Sequence, residues 1–189
     1  MHTIEPFYLW QSLYDSYKDR NSPFYGIRHR HDLCRNTIYN YYIHPDWDEF
    51  GSSTLYLKVL YVSYTESYCV IELFGEWNDI LHNDIMYLKR NIVDVMMSQG
   101  IQKFILIGEN ILDFHRDVRD YYEEWFDELE DGWIAALNFR EHVLHEFKQA
   151  RLDNYIVFGG RFNEIPWRTQ KPKVLFGLID EMMRKYLNP

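Results

Sequence analysis

The sequence predicts an α/β protein built on a mixed sheet, with antiparallel N-terminal strands followed by parallel βαβ units. Three observations carry that expectation. From Tyr68 onward, short β-branched or aromatic runs alternate with amphipathic stretches of helical period. Parallel strands need crossover connections, and those stretches supply them. Finally, the apolar runs Leu55 to Tyr64 and Tyr68 to Phe74 are joined only by Thr65-Glu66-Ser67, so this pair has to run antiparallel.

At the N-terminus, Pro6 suits the first turn of a helix in which Phe7, Trp10, Tyr14 and Tyr17 share a face, and Asn21-Ser22-Pro23 would stop it. Thr37 to Ile43 has strand propensity, and His44-Pro45-Asp46 breaks it. After the two joined strands come a helix (Asp79 to Ser98), a strand (Ile101 to Ile107), a helix (Phe114 to Glu130) and a strand (Trp133 to Phe139). A helix (Glu141 to Arg151), a strand (Tyr155 to Phe158) and a helix (Gln170 to Leu187) complete the chain. In the first crossover helix Leu81, Ile85, Leu88, Ile92, Val95 and Met96 line one face, with Gly100 as a stop. In the last, Leu175, Leu178, Ile179, Met182 and Tyr186 do the same. Residues 1–53 are thus expected to form a helix, a basic loop and an extra strand packed on a main α/β unit of residues 54–189. A chain of 189 residues suffices for one well-buried core.

Composition narrows the function classes. The two cysteines, Cys34 and Cys69, are far apart, which argues against a disulfide framework and for a reducing, cytoplasmic setting. No run approaches the length of a membrane-spanning helix. The net charge of −9 is concentrated between Asp117 and Asp131, where eight acids face only Arg119. Along that helix Val118, Tyr121, Tyr122, Trp125, Phe126 and Leu129 make an apolar stripe. Asp120, Glu123, Glu124, Asp127 and Glu128 fall mainly off its centre, as a solvated face or as a docking surface for a basic protein partner. Basic segments at Lys18 to Arg35 and Arg161 to Lys173 carry nearby aromatic residues, but the overall acidity argues against nucleic acid as a partner.

Ligands of open α/β sheets favour the crevice beyond the carboxyl ends of the parallel strands. Four loops are expected there, beginning at Gly75, Gly108, Asn138 and Gly159, and Glu76, Glu109, Asn110, Arg140 and Arg161 are their candidate ligand-binding groups. The arginines would favour a small anionic ligand. No loop reads GxGxxG or GxxxxGK[ST], no nucleophile elbow is present, and no cofactor is implied. His29, His31, Cys34 and His44 lack the paired cysteines of a structural zinc site. His142 and His145 lack the HExxH pattern, and the helix turns His145 to solvent and His142 to its flank, so no metal is expected.

The succession of two adjoining strands followed by alternating helices and strands resembles the STAS superfamily, in particular its anti-sigma-factor-antagonist-like branch. The segments that carry the resemblance are Ile71-Glu72-Leu73-Phe74-Gly75-Glu76-Trp77-Asn78, Ile134-Ala135-Ala136-Leu137, and Tyr155 to Trp167, within roughly residues 54 to 187. The resemblance implies a non-enzymatic regulatory or protein-interaction module. The alternative is a small-molecule binder or enzyme that uses the strand-end loops. Members of that family carry a phosphorylatable Ser or Thr after the strand matching Ile101 to Ile107. Here that loop is Gly108-Glu109-Asn110-Ile111-Leu112-Asp113, and no Ser or Thr occurs between Ser98 and Thr169, which excludes a phosphoswitch at that place.

Overall fold

The computed structural model describes residues 2–29, 37–117 and 120–187. Its centre is a four-stranded sheet in the order β4-β5-β6-β7, formed by β4 (Leu55–Ser63), β5 (Tyr68–Asn78), β6 (Lys103–His115) and β7 (Trp133–Leu137). β4 is antiparallel to β5, and β5, β6 and β7 are mutually parallel, as the sequence pattern predicts.

Strand periodicity explains the two-sided core. Cys69, Ile71 and Leu73 of β5, Phe104 and Leu106 of β6, and Ile134 and Ala136 of β7 pack in one apolar cluster. Tyr68, Val70, Ile105, Ile107, Trp133, Ala135 and Leu137, which alternate with them, pack in another. Covering both faces is what allows these strands to be almost continuously apolar. The first face carries the helical segment α1 (Asp79–His82), α2 (Asp84–Leu88), a π turn (Lys89–Val93) and α3 (Asp94–Ser98), together with α4 (Asp120–Asp127) and α5 (Glu141–Gln149). The opposite face carries α6 (Pro172–Leu187), whose Phe176 ring stacks on Tyr68 at 3.9 Å between centroids.

Several expected elements take a different form. No helix forms between Pro6 and Tyr17. The turns there are closed by short-range bonds such as Gln11 N–H to the Tyr8 carbonyl, and the Asp15 carboxylate accepts the Tyr17 N–H, competing with helical pairing. The expected strand Thr37 to Ile43 is divided by a turn with Tyr39 at φ 50° into β2 (Thr37–Ile38) and β3 (Tyr41–Ile43). Together with β1 (His2–Ile4) these make a separate three-stranded sheet, β1-β3-β2. Trp47 stacks on Phe74 beside it. Arg30, His31, Cys34 and Arg35 of the expected basic loop lie outside the described residues, as do Val118 and Arg119.

The first crossover helix breaks at Asn83, which adopts φ 52°. The Asp79 carboxylate accepts the Ile85 N–H and the Asp84 carboxylate accepts the Asn78 N–H, replacing helical pairing with side-chain pairing at the break. The expected loops at Gly75 and Gly108 are strand. β5 and β6 go on pairing beyond the end of β7, with Phe74 opposite Asn110 and Asn78 opposite His115, which also delays the start of α4. The expected strand Tyr155 to Phe158 is reduced to one bridge between Val157 and Ala135, because the Tyr155 and Ile156 amides turn back to the Leu152 carbonyl. On α6 the buried face is Leu175, Phe176, Ile179, Asp180 and Met183, so Leu178 and Tyr186 face outward rather than into the core.

Candidate functional site

The alternation that places Tyr68 and Val70 on the α6 face of β5 places Glu72 there next, and on β6 it places Glu109 after Ile105 and Ile107. Ile107 and Leu137 pair at the end of the shared parallel ladder. Two carboxylates therefore stand close together level with the carboxyl end of β7, inside the longer β5 and β6.

The chain itself fills this place. The Arg168 guanidinium, in the 3₁₀ turn Trp167–Thr169 before α6, donates from Nη2 to Glu72 Oε1 at 3.2 Å and to Glu109 Oε2 at 2.9 Å, and from Nε to Glu109 Oε2 at 3.1 Å. The Trp167 indole donates to Glu109 Oε1 at 2.8 Å, and Asn138 Nδ2 donates to the same oxygen at 3.2 Å. Asn138 also fixes the incoming segment, giving its second amide hydrogen bond to the Ile165 carbonyl and accepting the Ile165 N–H. The other Glu72 oxygen accepts the Phe7 N–H at 2.7 Å, and Asn110 Nδ2 lies 3.4 Å from Oε1. Phe7, Trp10 and Trp167 meet edge to face above it, and the Arg168 guanidinium lies over the Phe7 and Trp167 rings.

The electrostatics follow from burial. Desolvation raises the Glu72 carboxyl to about 7. The Phe7 N–H and Arg168 favour its charged form, Glu109 opposes it, and burial outweighs the favourable contacts. Chemically the cluster is a closed, charge-assisted clasp joining the N-terminal segment, three strands and the turn before α6.

Of the five ligand-binding candidates, Glu109, Asn110 and Arg140 come together here; the exposed Arg140 reaches the Glu109 carbonyl with its Nε at 3.4 Å. Glu76 belongs to another patch, accepting from Tyr39 OH at 3.0 Å and Asn78 Nδ2 at 2.8 Å, with His115 at 3.3 Å. Arg161 is exposed and lines a groove beside α6. Sequence reasoning missed Glu72, Arg168 and Trp167. The usable signal was Glu72 itself, the one charge in the otherwise apolar run Tyr68 to Phe74.

The five acids of the partner-surface reading divide into two sets. The buried Lys89 ammonium holds Glu128 at 2.6 Å and Glu124 at 3.5 Å and also pairs with Asp94. Arg90 grips Glu124 with both terminal nitrogens, at 2.5 and 2.9 Å. Hydrogen bonding from Arg90 lowers the Glu124 carboxyl below its ordinary range. Asp120, Glu123 and Asp127 are exposed on α4. Of the candidate histidines, His29 meets Asp48, His44 lies near Glu5 and Asp46, His142 meets the Leu112 carbonyl and His145 meets Gln149. Among the described residues no group of three or more His, Cys, Asp or Glu could hold a metal ion, and no helix is long and apolar enough to cross a membrane.

No family model matches the chain, and no curated protein sequence does. Part of the fold is similar to SpoIIAA. The anti-sigma factor antagonist SpoIIAA in its unphosphorylated form overlays 55% of this chain and 88% of its own, at 16% identity and a TM-score of 0.41. The Bacillus cell fate determinant SpoIIAA in its phosphorylated form overlays 55% and 91%, at 15% identity and a TM-score of 0.38.

Proposed function

We propose that this chain is a non-enzymatic regulatory or protein-interaction module, and that Asp120, Glu123 and Asp127 of α4 form the contact surface for a basic protein partner. One observation carries the reading: the strand-end carboxylates Glu72 and Glu109 are held by the chain's own Arg168 and Trp167. The polar groups best placed for a small ligand are already spent on one another. On α4, by contrast, Asp120, Glu123 and Asp127 keep their carboxylates in solvent, outside the set that Lys89 and Arg90 hold.

The test is affinity capture from cell extract with the chain as bait, comparing the wild type with Asp120→Lys/Glu123→Lys/Asp127→Lys and with Arg140→Ala. The proposal expects a specific partner to be lost with the triple variant and kept with Arg140→Ala. A partner kept by the triple variant, or saturable binding of a small anion lost with Arg140→Ala, would favour the strand-end alternative.

A further inference from the structure

Among the exposed charges Lys173, Glu181, Arg184 and Lys185, the outward side of α6 carries an apolar row where solvent-facing helix positions are ordinarily polar. Val174, Leu178, Met182 and Tyr186 recur at every fourth residue; Val174, Leu178 and Tyr186 are exposed, at 60%, 38% and 57%, while Met182 between them is partly buried against the core. Such a row is one continuous ridge about 18 Å long, three turns of helix. Gly177 lies beside it, with no atom within 4 Å of where its Cβ would stand, so a second backbone can approach closely there. At the C-terminal end the ridge borders a shallow groove of about 410 Å³ lined by Val157, Phe158, Phe162, Met182 and Tyr186. The groove lies beside Val157, the residue through which the segment after Leu152 makes its one bridge to β7.

The charge around this surface is opposite to that of the molecule. Residues 157–187 hold six basic side chains against three acidic ones, in a chain of net charge −9. Two of the six, Arg168 and Arg184, are turned to internal carboxylates. Arg161 and Lys185 flank the groove, and exposed Lys171 precedes the N-terminal end of the ridge. An i,i+4 pair between Lys185 and Glu181 orders one rim without burying either charge.

We propose that the α6 ridge and its adjoining groove dock an acidic amphipathic helix of a partner protein, whose aliphatic residues lie on the ridge between Val174 and Tyr186 and whose carboxylates meet Arg161 and Lys185. The ridge length and the i±4 spacing suit a helix, and the cationic rim selects acidic flanks over basic ones. This surface is on the opposite side of the sheet from α4 and of opposite charge, so it stands independently of the α4 proposal.

The probe is a fluorescein-labelled peptide of roughly sixteen residues, about four turns, with leucine along one helical face and glutamate on the flanks. A scrambled peptide of the same composition and one with lysine for each glutamate serve as controls. Fluorescence anisotropy should show saturable binding of the acidic peptide that weakens as salt rises. Val174→Ser/Leu178→Ser and, separately, Arg161→Glu/Lys185→Glu should each weaken it by at least about tenfold. The second pair changes only exposed charge, so it reads the surface even if the first perturbs folding; Asp120→Lys/Glu123→Lys/Asp127→Lys should leave this binding in place. No binding up to about 1 mM peptide, or equal binding of either control, overturns the proposal. So does a wild-type dimer in sedimentation velocity that Val174→Ser/Leu178→Ser disperses, since the occupant is then a second copy of the chain.

Discussion

Arg168 donates to Glu72 across 96 residues of sequence, tying the turn before α6 to the middle of β5 at 3.2 Å. The contact covers the buried Glu72 carboxylate with a guanidinium that itself stays half-exposed. Glu72 is buried there with a second carboxylate on the same guanidinium, so its protonation and the stability of the fold are linked.

The first prediction is therefore a pH dependence. Burial raises Glu72 from its ordinary 4.5 to about 7 and raises Asp79 to about 6. The folded state thus binds these protons more tightly than the unfolded one. Their contribution is fully present below the ordinary carboxylate range and is lost as pH rises through about 6 for Asp79 and about 7 for Glu72. Thermal unfolding followed by circular dichroism should show wild-type stability falling between those limits, by up to about 1.4 kcal/mol per pH unit for each fully titrating group. Glu72→Gln should flatten the part near pH 7 and retain the part near 6. Parallel curves for the two proteins would show that Glu72 does not titrate there.

The acidic helix should respond unevenly to charge reversal. Glu124→Lys/Glu128→Lys places cations against the buried Lys89 ammonium and is expected to cost about 2 kcal/mol or more in urea unfolding. Glu123→Lys/Asp127→Lys alters exposed positions and should change stability by no more than about 0.5 kcal/mol. Equal effects from both pairs would mean that Lys89 does not depend on α4.

A backbone prediction concerns Gly75, which has φ 116° and lies so close to Thr54 that an added Cβ would stand 2.1 Å from the Thr54 carbonyl oxygen. Gly75→Ala should cost more than about 1 kcal/mol, since strain and steric conflict act together. A variant with an unchanged urea midpoint would show that this approach can relax freely.

These contacts also show which parts of the structure local sequence could reveal. The alternation in Tyr68 to Phe74 and Ile101 to Ile107 was readable because both faces of those strands are covered, and the short Thr65-Glu66-Ser67 link fixed the antiparallel pair. The break at Asn83 was hidden because Asp79 and Asp84 override a stretch with good helical periodicity. The continuation of β6 past Gly108 depends on pairing with β5, a partner that local propensity does not include. Glu109 and Asn110, expected in a loop at a strand end, lie inside β6 because of that continuation. Arg168 reads only as part of the basic segment Arg161 to Lys173, because nothing near it in sequence announces a carboxylate on β5. On α6, Leu178 and Tyr186 face outward although they fit a helical stripe as well as Leu175, Ile179 and Met183 do, because periodicity alone does not choose between two apolar faces; Met182 packs partly against the core as expected.

Arg168 closes the site through Glu72, and a double-mutant cycle on this pair measures that closure. Urea unfolding at about pH 8, where Glu72 is ionised, would be measured for the wild type, Glu72→Gln, Arg168→Met and the double variant. The closure predicts that the double variant costs less than the two single variants together, by about 1 to 3 kcal/mol. Additivity to within about 0.5 kcal/mol would contradict it, leaving Arg168 energetically unlinked from Glu72 and the two carboxylates open to a ligand.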